Sequence, residues 1–165
     1  MKNTNKKGTV SVRHLTTAAI IAALYVVFTG LSAALGLASG AIQVRLSEAL
    51  TVLPYFTPAA VPGVTVGCLL ANLLTGAPLP DIIFGTLASF LGVSGASFLR
   101  KKKYLIALPT ILSNAIIIPL VLQHAYGVKD AFWFLFLTVG AGEVISAGLL
   151  GGLLLHLMQK RKLFR

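Results

Sequence analysis

Four acidic residues stand in a chain of 165, and three of them fall beside apolar runs where a carboxylate is costly. Glu48 follows Gln43 and Arg45 within six residues, Asp81 follows Pro78 and Pro80, and Asp130 closes the polar run QHAYGVKD. Glu143 is different, because it lies well inside the last apolar run. From Asp130 to Glu143 is about 20 Å of helix at 1.5 Å per residue. An ionised acid at such depth costs about 2.5 to 3.5 kcal/mol on insertion scales, so it calls for a partner. Gly140, Ala147 and Gly151 share its helical face and point it inward. Asn72 and Asn114 count to mid-depth from the opposite side, so their amides can join Glu143. That group reads either as a ligand site or as a satisfied buried network. Arg45 and Glu48, three residues apart, can pair with each other or face a ligand.

Other chemistries find little support. His14, His124 and His156 sit near separate helix ends and the lone Cys68 lies in an apolar run, so neither a metal cluster nor an internal disulfide is expected. No GxxxxGK[ST] loop is present, which excludes ATP use by that route. The net charge of +10 sits in tails and one loop rather than on an aromatic-basic surface, and nucleic-acid binding is not expected.

The elements that must position these residues are membrane helices. Residues are 56% hydrophobic and only 11% charged, with a mean hydropathy of +0.89. A soluble domain carries about 25% charged residues, so this composition indicates an integral membrane protein. We divide the chain into a basic tail (1–14), a single membrane domain (15–159) and a second basic tail (160–165). Six helices are expected, over 15–37, 44–56, 60–74, 81–99, 104–122 and 131–158. The second and third are short for a hydrocarbon core of about 30 Å, so a re-entrant hairpin is the alternative to two full crossings. The first run, after its basic start, also has the form of a signal peptide ending at Ala38-Ser39-Gly40-Ala41, although it is long for one.

Of 14 Lys and Arg, four precede the first helix, four occupy 100–103 and four follow Gln159. Six crossings put all three clusters on one side, which the positive-inside rule makes cytoplasmic. A plasma-membrane location with both termini cytoplasmic follows. Small residues recur at helical spacing: Ala18 with Ala22, Ala19 with Ala23, Gly63-Gly67-Ala71, and Gly85-Ser89-Gly92-Ala96. Such faces admit close helix packing in lipid, either within the chain or against a partner.

The stretch Gln43 to Gly67, with Pro54, Pro58 and Pro62 at intervals of four, is the one the other segments are expected to surround. The run QVRLSEALTVLPYFTPAAVPGVTVGCLLANLL, followed by DIIFGT and by Glu143-Val-Ile-Ser146, resembles the QueT family of membrane proteins. These are substrate-binding S components of energy-coupling factor (ECF) transporters for queuosine precursors. The resemblance implies a six-helix bundle that opens its site outward and is not itself an enzyme. It implies work with a transmembrane coupling protein and two ATPase subunits, with no cofactor of its own. S components dock that coupling protein through an AxxxA pattern on the first helix, which Ala18, Ala19, Ala22 and Ala23 match here. A 7-deazaguanine ligand would offer N1–H and an exocyclic amine to a carboxylate such as Glu143. Asn72 and Asn114 would serve its other edge, and Arg45, Glu48 and Asp81 would line the approach. An S component for a different vitamin, or a self-sufficient carrier or channel, are the competing functions.

Overall fold

A computed structural model describes residues 11–38 and 42–161. Most of the N-terminal tail, the 39–41 part of the leader-like motif and the last four residues lie outside the described residues. The described elements are α1 (Val12–Ala34), a 3-10 segment (Leu46–Tyr55), α2 (Ala60–Leu74), α3 (Leu79–Phe98), α4 (Leu108–Ala125), α5 (Phe132–Glu143), a π segment (Val144–Leu150) and α6 (Gly151–Lys160). The last three form one continuous run, Phe132–Lys160.

Among the described residues, four helices are long and apolar enough to cross a membrane: Val12–Ala34, Leu79–Phe98, Leu108–Ala125 and Phe132–Lys160. Their outward faces carry Val27, Leu31, Phe84, Leu91, Leu112, Leu149 and similar side chains, all exposed. Rows of large apolar groups in mid-helix suit lipid rather than water. The two remaining elements are the short ones. At about 1.5 Å per residue α2 reaches about 22 Å, and at about 2.0 Å per residue the 3-10 segment reaches about 20 Å.

An α-helix over 44–56 is therefore not what forms. The segment winds as a ten-residue 3-10 helix, where runs beyond three or four residues are uncommon. Two features explain it. Pro54 has no N–H to give, and its ring would meet the carbonyl four residues earlier in an α-helix. The segment is also enclosed on all sides, with every residue from Ser47 to Pro54 buried. A tighter helix is thinner, and this one threads between α1, α2, α3, the π segment and α6. Thr51 Oγ1 donates to the Glu48 carbonyl at 2.7 Å, so a side chain serves an acceptor inside that enclosure.

The other helices follow chain order around this rod: α1 packs on α2, α2 on α3, α3 on α4 and α4 on α5. Small residues set the distances. A β-carbon on Gly63 would come within 2.8 Å of the Ala18 carbonyl oxygen, and one on Gly67 within 2.7 Å of Tyr25 Cβ. Ala18 and Ala22 are thus buried against α2, so this half of the AxxxA pattern is internal packing. Ala19 and Ala23 remain exposed.

Candidate ligand site

The site begins with a stripe on α1. Tyr25, Thr29 and Ser32 stand at i, i+4 and i+7 in the apolar later part of α1, and so share one face. Ser32 Oγ accepts the Leu46 N–H at 2.9 Å, and Thr29 Oγ1 donates to Ser47 Oγ at 2.9 Å. Tyr25 donates from its hydroxyl to Glu48 Oε1 at 2.5 Å. These contacts hold the start of the 3-10 segment, whose first N–H groups have no partners within the helix.

On the opposite side the connection 43–45 is pressed against α5 and the π segment. Arg45 donates its backbone N–H to Ser146 Oγ at 3.0 Å. At Gly142 the Gln43 carbonyl lies where a side chain would start, well inside van der Waals contact with any added β-carbon. Gly142 is ten residues from Phe132, so the connection meets the helix about 15 Å along its axis. The charged stretch is sunk between helices, and Glu48 is only 1% exposed. The π segment starts immediately after Glu143, where the connection and the rod both press on this helix. Such widened turns are frequent at functional sites.

Four of the six sequence-derived ligand residues meet here. Glu48 and Glu143 are buried, Asn114 of α4 lies beside both carboxylates, and Arg45 is an electrostatic neighbour of both. Glu48 Oε2 and Glu143 Oε2 are buried without a hydrogen-bond partner among the described residues. A carboxylate oxygen is a strong acceptor, and leaving one unmatched costs more than a neutral group would. The chemistry of the cluster is therefore that of two acceptors awaiting N–H or O–H donors. An arginine guanidinium does not deprotonate in proteins, so Arg45 is a cation among these acids.

Asn72 and Asp81 form a second group beside the first. Asn72 lies in the last turn of α2. There Asn72 Nδ2 donates to the Asp81 carbonyl at 3.3 Å. Tyr126, at the end of α4, donates to Asp81 Oδ2 at 2.7 Å. Partial burial, and then that bond, push the Tyr126 hydroxyl up to about 12, so it remains a donor at neutral pH.

Arg45 joins the two groups. A cavity of about 290 Å³ is lined by Thr29, Ser32, Arg45, Asn72, Asp81 and Tyr126 among others. That is near the lower end of small-molecule sites. On the other side of Arg45 a crevice of about 10 Å³ is bounded by Gln43, Ile118, Val139 and Glu143. Gln43 and Val139 also line a third space of about 370 Å³ with Leu122, Asp130, Phe134 and Thr138.

Sequence reasoning did not single out Tyr25, Gly142, Ser146 as a backbone acceptor, or Tyr126. The i, i+4, i+7 polar stripe of α1 was a usable signal for Tyr25. Nothing local distinguishes Gly142 from Gly140. Among the described residues no group of His, Cys, Asp and Glu is placed to hold a metal.

Comparison with known proteins agrees with a membrane transporter. The family model described as QueT transporter matches residues 15–160. The chain is similar to a protein of Lactococcus lactis subsp. cremoris (strain MG1363), named queuosine precursor transporter QueT, with 38% identity over 94 residues. The matched stretch is 54% of this chain and 53% of that protein, so the chain spans about half the length of the curated relative it matches. No solved structure matches.

Proposed function

Since the chain belongs to the QueT transporter family, we propose that it is the substrate-binding membrane subunit of an ECF-type importer, capturing a 7-deazaguanine precursor of queuosine from outside the cell. The observation that carries this reading is the pair of buried carboxylate oxygens, Glu48 Oε2 and Glu143 Oε2, that lack donors among the described residues and lie beside Asn114 and Arg45. The base offers N1–H and an exocyclic amine along one edge, which match a carboxylate acceptor. Its carbonyl on the neighbouring edge suits the Arg45 or Asn114 donors. Three acids, Glu48, Asp81 and Glu143, surround one cation, Arg45, so a cationic aminomethyl substituent is also favoured.

The cavity beside Asn72 and Asp81 has room for the bicyclic ring, and Glu143 lies across Arg45 from it. Ligand entry then swings Arg45 aside, joining the small crevice to the cavity. The experiment that tests the reading is thermal stabilisation of the purified protein by deazaguanines.

Uptake is completed, in this proposal, by a coupling protein and two ATPase subunits, with the two short elements completing six crossings. The chain's own lack of a P-loop supports partners of that kind. Docking falls to the exposed pair Ala19 and Ala23 rather than to Ala18 and Ala22. With both termini cytoplasmic, the Arg100–Lys103 turn faces the same side. In a Cys68-free background, a cysteine at position 102 should resist impermeant reagents applied to intact cells. In the same cells Ala19→Trp or Ala23→Trp should stop uptake while the purified variant binds ligand normally. External labelling of position 102 contradicts the orientation, and undiminished uptake in both tryptophan variants contradicts the docking face.

A further inference from the structure

Tyr25 is a buried group of this region that no ligand contact uses. It is 2% exposed, and its β-carbon packs on α2 at Gly67, where an added β-carbon would come within 2.7 Å of Tyr25 Cβ and 3.0 Å of Ala22 Cα. Its hydroxyl donates to Glu48 Oε1 at 2.5 Å, while Glu48 Oε2 stays buried without a partner among the described residues. One oxygen of the carboxylate is thereby fixed and the other is left to be used. We propose that Tyr25 is a positioning residue for ligand binding, orienting the Glu48 carboxylate so that Oε2 meets an N–H donor of the ligand. This rests on reading Glu48 as part of the ligand site.

The bond also fixes direction. The groups facing Glu48 are Arg45 of its own segment, Tyr25 of α1, Cys68 of α2, Asn114 of α4 and Glu143 of α5. With Oε1 held by the phenol O–H, the carboxylate plane is set and Oε2 keeps one orientation. Without the phenol hydroxyl the carboxylate can turn, and Oε2 no longer meets the ligand N–H squarely.

Calorimetric titration of the full-length purified protein with 7-aminomethyl-7-deazaguanine tests the proposal. Tyr25→Phe keeps the ring and should bind about tenfold more weakly, the scale of one hydrogen bond to a charged group. Added to Glu48→Gln, it should cost nothing further, since both changes act on one carboxylate. Wild-type affinity in Tyr25→Phe beside a weakened Glu48→Gln overturns the inference. So does a loss that is additive with Glu48→Gln, which is what plain packing would give. If Tyr25→Phe fails to fold, Glu48→Asp withdraws the acid from the phenol instead, with the same loss expected and wild-type affinity overturning the proposal. A wild-type protein that binds no deazaguanine overturns the functional reading, and this inference with it.

Discussion

Gly142→Ala is expected to displace the 43–45 connection and, with it, most ligand binding. The new methyl group would be driven into the Gln43 carbonyl, which is backbone and has no flexible end to yield. Either the connection or the helix must move, and the Arg45 N–H to Ser146 Oγ bond sits two residues along the chain. Overpacking of this kind costs about 1 to 3 kcal/mol, and each kcal/mol lowers Tm by about 2–4 °C in a chain of this size. Because Arg45 and Glu48 follow directly, affinity for a deazaguanine should fall at least about tenfold, the effect of losing one charged hydrogen bond. Gly152→Ala is the matched control, since a β-carbon there meets nothing within 4 Å. A Gly142→Ala protein that melts and binds like the control would show that the connection does not press on this helix.

The second large effect is expected at Glu143. Glutamine keeps the volume but turns one acceptor oxygen into an amide donor, which opposes a ligand N–H. Hydrogen bonds to a charged group are worth about 1.5 to 3 kcal/mol, so affinity should drop roughly tenfold to a hundredfold. The empty protein should be as stable as before or more so. Glu143 and Glu48 are neighbouring buried acids sharing one Arg45, so removing one charge relieves both desolvation and repulsion. A purely structural role for Glu143 predicts the reverse, a lower Tm with binding little changed in the folded fraction. Calorimetry and melting on the same preparation separate the two.

Much of this arrangement was legible because lipid leaves few options. Apolar runs between basic clusters located the helices to within a few residues, and depth counting along the last run put Glu143 inside the protein, where it is. The Gly63-Gly67-Ala71 face did announce close packing. Its partner was not readable, because Ala18 with Ala22 and Ala19 with Ala23 are equivalent in one dimension and only the rotation of α1 about its axis separates them. The 3-10 rod was misread as an α-helix because periodicity fails when all sides of a segment are buried. Its eight consecutive buried residues include Ser47, Glu48 and Thr51, and no apolar face remains to count. The enclosure of Glu48 was not readable, because nothing in the sequence shows that the connection before it is wedged against Gly142 and Ser146. Nor does the sequence show that Asn72 meets the Asp81 carbonyl. Tertiary contacts between distant segments set both.

The measurement that bears most directly on the central claim is a ligand panel on the purified full-length protein, read as the shift in Tm. The panel sets 7-aminomethyl-7-deazaguanine, 7-cyano-7-deazaguanine and queuine against guanine and unrelated vitamins. A ligand at a hundred times its Kd adds about 2.7 kcal/mol to the folded state. At least one deazaguanine should produce a saturable stabilisation of that order, reduced in Glu143→Gln, while the unrelated vitamins leave Tm unchanged. A protein whose Tm responds to none of the deazaguanines, or responds instead to an unrelated vitamin, would contradict the assignment of this site to a queuosine precursor.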